Sequence, residues 1–95
     1  MNGTLKDPRH EELRRLLKQR RQRKELKQSE LAAKMKRYRN FVTNVETGLH
    51  RVTVTEFLDF AEALEFDPAA AIRRLAKLRS SGDGEGRRGQ EFSPD

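Results

Sequence analysis

An all-α domain of five short helices is what this chain's sequence predicts, and three observations carry that expectation. Apolar residues recur at helical rather than alternating spacing in five successive stretches. Three of those stretches open on helix-start signals: Asp7-Pro8, Thr53-Val-Thr-Glu56 and Asp67-Pro68. The other two lie between Gln28 and Gly48, are about two turns each, and are joined by a polar, basic break too short to let them run antiparallel. That last arrangement predicts a helix-turn-helix.

The elements follow in order. Asp7 is an N-cap with proline at the first helical position, opening a helix to about Lys24 with Leu13, Leu16 and Leu17 on one face. The second helix places Leu31, Ala32 and Met35 together, and small Ala32 allows a close crossing by the third. The third, about 39–46, carries Phe41, Val42 and Val45 on one face. Thr53 and Glu56 form a capping-box pattern for the fourth helix, whose apolar residues are Val54, Phe57, Leu58, Ala61 and Leu64. Asp67-Pro68 begins the fifth, from Ala69 to Leu78, with Ile72 and Leu75 expected inward. The organisation expected is an N-terminal extension over 1–8, one domain over 9–79, and a disordered Gly/Ser/charged tail over 80–95, which is too poor in apolar residues to offset ordering.

Composition narrows the function. With 95 residues and 34% of them hydrophobic, there is room for one small core. The chain has no cysteine, which removes disulfides, thiolate catalysis and cysteine-based zinc sites together. No apolar run approaches the roughly 20 residues of a membrane span, and no signal-peptide core follows Met1, so a cytoplasmic protein is expected. The net charge of +6 is unevenly spread. Residues 9–51 hold 14 Lys and Arg against 5 Asp and Glu, while 52–68 hold five acidic residues and no basic one. The basic half therefore coincides with the helix-turn-helix, as a phosphate-binding surface would.

In a helix-turn-helix the second of the two helices enters the DNA major groove. Its residues outside the apolar stripe are Arg39, Asn40, Thr43 and Asn44, all hydrogen-bonding types. Arginine can engage guanine, and asparagine adenine, through two bonds each. Arg37, Tyr38, His50 and Arg51 flank that helix as candidates for phosphate contact. Phe41 is expected to pack in the core rather than stack on a base, and Glu46 to pair with a basic residue of the first helix.

Three segments together resemble the Cro/repressor family, the lambda-repressor-like DNA-binding domains. Leu26-Lys-Gln-Ser-Glu-Leu-Ala resembles the start of that family's second helix, and Arg39-Asn-Phe-Val-Thr-Asn-Val-Glu-Thr-Gly its recognition helix. Glu56-Phe-Leu-Asp-Phe-Ala-Glu-Ala-Leu-Glu-Phe-Asp-Pro resembles its fourth helix and the junction with the fifth. The resemblance implies a compact five-helix lambda-repressor-like domain that binds operator DNA as a homodimer. It also implies base reading by Arg39, Asn40 and Asn44, and a backbone contact by Gln28 at the start of the second helix. Several positions depart from the family pattern. Glu25 and Lys36 stand where glycine usually closes a helix, Lys27 and Tyr38 where caps are usual, and Arg20 where an apolar residue is usual.

The reading is a sequence-specific double-stranded DNA-binding transcriptional regulator, a repressor, that uses no cofactor and no metal. Its dimer contact is expected from the fifth helix and the end of the fourth, through Phe66, Ile72 and Leu75. The alternative is a protein-interaction or antitoxin-like module whose main partner is another protein. An enzyme is not expected: His10 and His50 lie on different elements, and neither a phosphate-cradling glycine loop nor a nucleophile motif is present.

Overall fold

The computed structural model describes residues 7–78, so the N-terminal extension up to residue 6 and the predicted tail over 80–95 lie outside the described residues. The architecture is the predicted one: α1 (Pro8–Arg23), α2 (Gln28–Lys34), α3 (Phe41–Thr47), α4 (Val54–Leu64) and α5 (Pro68–Ala76). The expected starts are made by the residues that signalled them. The Asp7 carboxylate accepts from the amides of Arg9 and His10, so α1 begins inside the span assigned to the extension. Thr53 and Glu56 cap each other's amides at 3.2 and 2.9 Å, and Asp67 accepts from Ala69 at 2.9 Å. Lys27 has no acceptor to offer the helix it precedes. There Glu30 supplies half a box, accepting the Lys27 amide at 2.7 Å.

The helix ends explain how the chain does without two family glycines. Glu25, Lys36 and Glu65 adopt φ of 58°, 60° and 60°, the left-handed conformation in which glycine is usual. Each is followed by an amide that reaches back into the helix: Leu26 to Arg21, Arg37 to Ala32 and Phe66 to Ala61. Those bonds are the Schellman closure, so α1, α2 and α4 stop in the regular way at the cost of three strained non-glycine residues.

The core is one cluster built around Leu17, Leu31, Phe41, Val42, Val45, Phe60 and Leu64, each almost wholly buried. Leu16, Leu17, Leu31, Ala32 and the α3 trio lie in it as expected, and Leu13 and Met35 pack against it. Three expected core residues do not. Val54, Leu58 and Ile72 are exposed by 76%, 49% and 50%. The inward stripe of α4 is Phe57, Phe60, Ala61 and Leu64, which leaves Leu58 about a quarter-turn away and Val54 in the first turn, beyond the core's edge. In α5 the stripe is Ala71 and Leu75, so Ile72 points away. The aromatic Phe60, stacked on Phe41 at 5.8 Å, and Phe66, edge-on to Phe57 at 5.7 Å, fill that space instead. Arg20, at a normally apolar position, lays its guanidinium over the Phe66 ring at 5.4 Å.

Candidate nucleic-acid interface

The interface begins with how α2 and α3 are held. Ala32 is fully buried at their crossing, where a larger side chain would separate the two helices. Beyond the apolar contact, a polar chain joins three helices. Arg21 of α1 donates to Glu46 of α3 through two bonds, Nε to Oε2 at 2.7 Å and Nη2 to Oε1 at 3.0 Å. Gln28, at the start of α2, donates Nε2–H to the same Glu46 Oε1 at 2.8 Å. Thr43 then donates its hydroxyl to Gln28 Oε1 at 2.8 Å. The remaining Arg21 nitrogen, Nη1, donates to the Leu26 carbonyl at 2.8 Å, fastening the turn between α1 and α2. Glu46 thus pairs with a basic residue of the first helix, as its place in the sequence suggested.

This chain sets what Gln28 and Thr43 have left to offer. Gln28 keeps one of its two amide protons, and Thr43 keeps its methyl group and the acceptor capacity of its oxygen. Both line a shallow concavity with Lys27, Ser29, Arg39 and Asn40. Four of the nine predicted contact residues therefore meet in one place. Arg39 and Asn40 are exposed and lie in the turn before α3, with Asn40 as its N-cap residue, because α3 begins at Phe41, two positions later than the expected 39. Asn44 stands one turn further along and donates Nδ2–H to the hydroxyl of Tyr38 at 3.3 Å, with Tyr38 itself 55% exposed.

The other flanking residues are engaged within the protein. The Arg37 guanidinium sits 4.8 Å over the Phe41 ring and lies 3.6 Å from Glu56 and 3.7 Å from Asp59. His50 Nε2 is 2.9 and 3.1 Å from the two Glu56 oxygens. Glu56 itself is 7% exposed. Burial alone would raise its pKa, but the Thr53 amide, the His50 hydrogen bond and charge, and the Arg37 charge outweigh burial and hold it below the usual glutamate value. Arg51 lies farther off, 4.0 Å from Asp7, in a polar cleft between the start of α1 and the end of α3. Its floor includes Gly48 at φ 90°, and its walls include His10, whose pKa is lowered by burial and by the charges of Arg51 and Arg14.

Sequence reasoning missed Glu56 as the junction of both flanks. The available signal was its place as the acidic residue of a capping box six positions after His50. It also missed the internal tie of Gln28, which spacing alone does not reveal.

Residues 12–75 match the family of helix-turn-helix domains. This chain belongs to that family. Among solved structures it is similar to an XRE-family like protein from Pseudomonas syringae pv. tomato str. DC3000. The two share 35% identity and a TM-score of 0.68, over 73% of this chain and 84% of that one. No curated protein matches the chain. The family and the neighbour agree with the Cro/repressor resemblance carried by Leu26–Ala32 and Arg39–Gly48, and make this helix-turn-helix protein a DNA-binding regulator. Among the described residues no group of His, Cys, Asp and Glu is placed to hold a metal ion, and no helix is long and apolar enough to cross a membrane.

Proposed function

We propose that this helix-turn-helix protein is a transcriptional repressor that binds a specific double-stranded operator in the cytoplasm, with Arg39, Asn40, Thr43 and Asn44 reading bases. The observation that carries the reading is the concavity in which exposed Arg39 and Asn40 stand beside Gln28 at the N-terminus of α2. A phosphate held by Gln28 and the first amides of α2 would set the register in which Arg39 and Asn40 meet base edges. Tyr38 and Arg51 extend the phosphate contacts to either side of α3, with Arg37 and His50 beside them, each tied to Glu56. Repression then follows from occupying DNA that the transcription machinery needs.

The homodimer belongs to the same proposal, with a changed basis. Phe66 and Leu75, expected to form the contact, are covered within the protomer at 8% and 9% exposure. On α4 and α5 the large apolar residues left exposed are Val54, Leu58 and Ile72, and Val54 and Ile72 line a groove with Leu13, Val52, Phe57 and Leu75. The same surface supports the second reading, a module whose partner is a different protein. Selection from random double-stranded DNA tests the main reading. Enrichment of a short inverted repeat is the expected result, and binding of all sequences alike would overturn it.

A further inference from the structure

Glu56 does more than cap α4. A capping box asks its third residue for one acceptor, which Glu56 gives to the Thr53 amide at 2.9 Å, and glutamine serves that role equally well. A buried carboxylate in such a place needs further partners to offset its desolvation. It finds them on the two sides of α3. His50, in the loop after α3, is 2.9 Å from Oε1, and Arg37, in the turn before α3, is 3.6 Å from Oε2. Both partners also pack on Phe41, the first residue of α3: Arg37 over its ring at 4.8 Å and His50 edge-on at 5.2 Å. Asp59, one turn along α4, takes the other end of Arg37 at 3.7 Å. Glu56 is thus the charge in contact with His50, Arg37 and Asp59 extend the cluster beyond Glu56, and Arg51 is next to His50 in the chain.

We infer that Glu56 is the positioning residue of the interface, locking the turn that carries Tyr38, Arg39 and Asn40 and the loop that carries Arg51 into one fixed arrangement about α3. The inference rests on the DNA-binding reading for its consequence, but the clamp is a property of the free protein. Its value for binding is preorganisation: segments already fixed lose less freedom when they meet DNA. The depressed pKa of Glu56 agrees with a carboxylate held ionised by the Thr53 amide, the His50 hydrogen bond and the Arg37 charge.

The test uses Glu56→Gln in the full chain, which keeps the capping acceptor and removes the charge. The first measurement is an amide nitrogen–proton NMR spectrum. Shifts are expected both across 37–40 and across 48–51, and changes confined to 53–57 would overturn the clamp. The second is titration of an operator selected from random DNA. About a tenfold loss is expected for Glu56→Gln, and the Glu56→Gln/His50→Gln double variant should lose less than the two single losses combined. Additive losses would show that Glu56 and His50 act separately. Should Glu56→Gln fail to fold, His50→Gln and Arg37→Gln leave the cap intact, and each is expected to shift amides on the opposite flank. If the wild-type chain selects no sequence, the DNA-binding reading fails, while the NMR result still decides whether Glu56 couples the flanks.

Discussion

Arg21 and Glu46 form a two-point ion pair, 2.7 and 3.0 Å long, with side chains only 11% and 6% exposed. The pair joins α1 to α3 and is extended by Gln28 and Thr43, so a structural ion pair and a candidate DNA-contact surface share one hydrogen-bond chain. Because the Glu46 carboxylate is already committed to Arg21 and Gln28, its charge is neutralised locally and does not oppose an approaching phosphate. Arg21 likewise stabilises the interface without being free to touch DNA.

Removing one partner of this pair strands a nearly buried charge. Arg21→Ala or Glu46→Ala should therefore destabilise the fold by about 3–5 kcal/mol. Urea unfolding monitored by circular dichroism checks it. Arg21→Lys should recover only part of the loss, because an ammonium cannot make the parallel two-bond contact. A cost for Arg21→Ala within the few tenths typical of exposed pairs would show the geometry to be energetically idle.

Much of this architecture was legible in the sequence, for identifiable reasons. Asp7-Pro8, Thr53/Glu56 and Asp67-Pro68 are local signals whose chemistry depends on near neighbours, and all three helices start where they say. Val54, Leu58 and Ile72 misled because periodicity tells which residues share a face and not how far the core extends across it. The partners of Gln28, Arg37 and His50 lie 18, 19 and 6 positions away, on other elements, and only the folded chain brings them together. The exposure of Arg39 and Asn40 was legible because polar residues beside a helical apolar stripe need no long-range knowledge.

The left-handed residues at helix ends offer a simple stability test. Lys36 is exposed and holds φ at 60°, where a side chain costs about 1 kcal/mol relative to glycine. Lys36→Gly should raise the thermal midpoint by a few degrees, after part of the gain is lost to the greater freedom of glycine in the unfolded chain. Gly48→Ala should lower it, since φ there is 90° and an added Cβ would come 2.9 Å from Arg14 Nη1. Calorimetry on both variants measures the effect, and a lower midpoint for Lys36→Gly would contradict the assignment.

Acid should act on two groups in sequence. Both His10 and Glu56 have pKa values lowered by folding, so their contributions are complete above the unfolded-state value and fade as pH falls towards the folded one. For His10 the window opens below about pH 6.5, as burial and the Arg51 and Arg14 charges resist its protonation. For Glu56 it opens below about pH 4.5, as the amide of Thr53, His50 and Arg37 lose their carboxylate partner. Thermal midpoints measured from about pH 7 to about pH 3 should show a shallower fall for Glu56→Gln than for the wild type below about pH 4.5, and a shallower fall for His10→Asn below about pH 6.5. Parallel curves for variant and wild type would rule out the respective group.

Association is expected through the exposed apolar surface of α4 and α5. Ile72→Glu, which alters a half-exposed residue outside the core stripe, should leave the circular dichroism spectrum unchanged and shift sedimentation from dimer to monomer. Operator half-sites about one helical turn, roughly 34 Å, apart would accompany the dimer. A wild-type chain that sediments as a monomer both free and on DNA would sink this idea.

The division between affinity and specificity is the sharpest test of the interface. Arg39 and Asn40 are exposed in the turn opening α3, beside Gln28 in one concavity, whereas Arg51 stands beyond the other end of the helix near Asp7. If Arg39 and Asn40 read bases, Arg39→Ala or Asn40→Ala should cost about 1–3 kcal/mol on the selected operator and far less on scrambled DNA. Arg51→Ala should weaken both DNAs evenly, because phosphates carry no sequence, and should reduce the slope of log affinity against log salt by about one. Gln28→Ala should also lower both, and in addition reduce stability, since Glu46 and Thr43 each lose a partner at 2.8 Å. Titrations of each variant against operator and scrambled DNA at several salt concentrations separate these cases. Equal losses on the two DNAs for Arg39→Ala would mean that Arg39 holds phosphate, and base reading would then fall to Asn40 and Asn44.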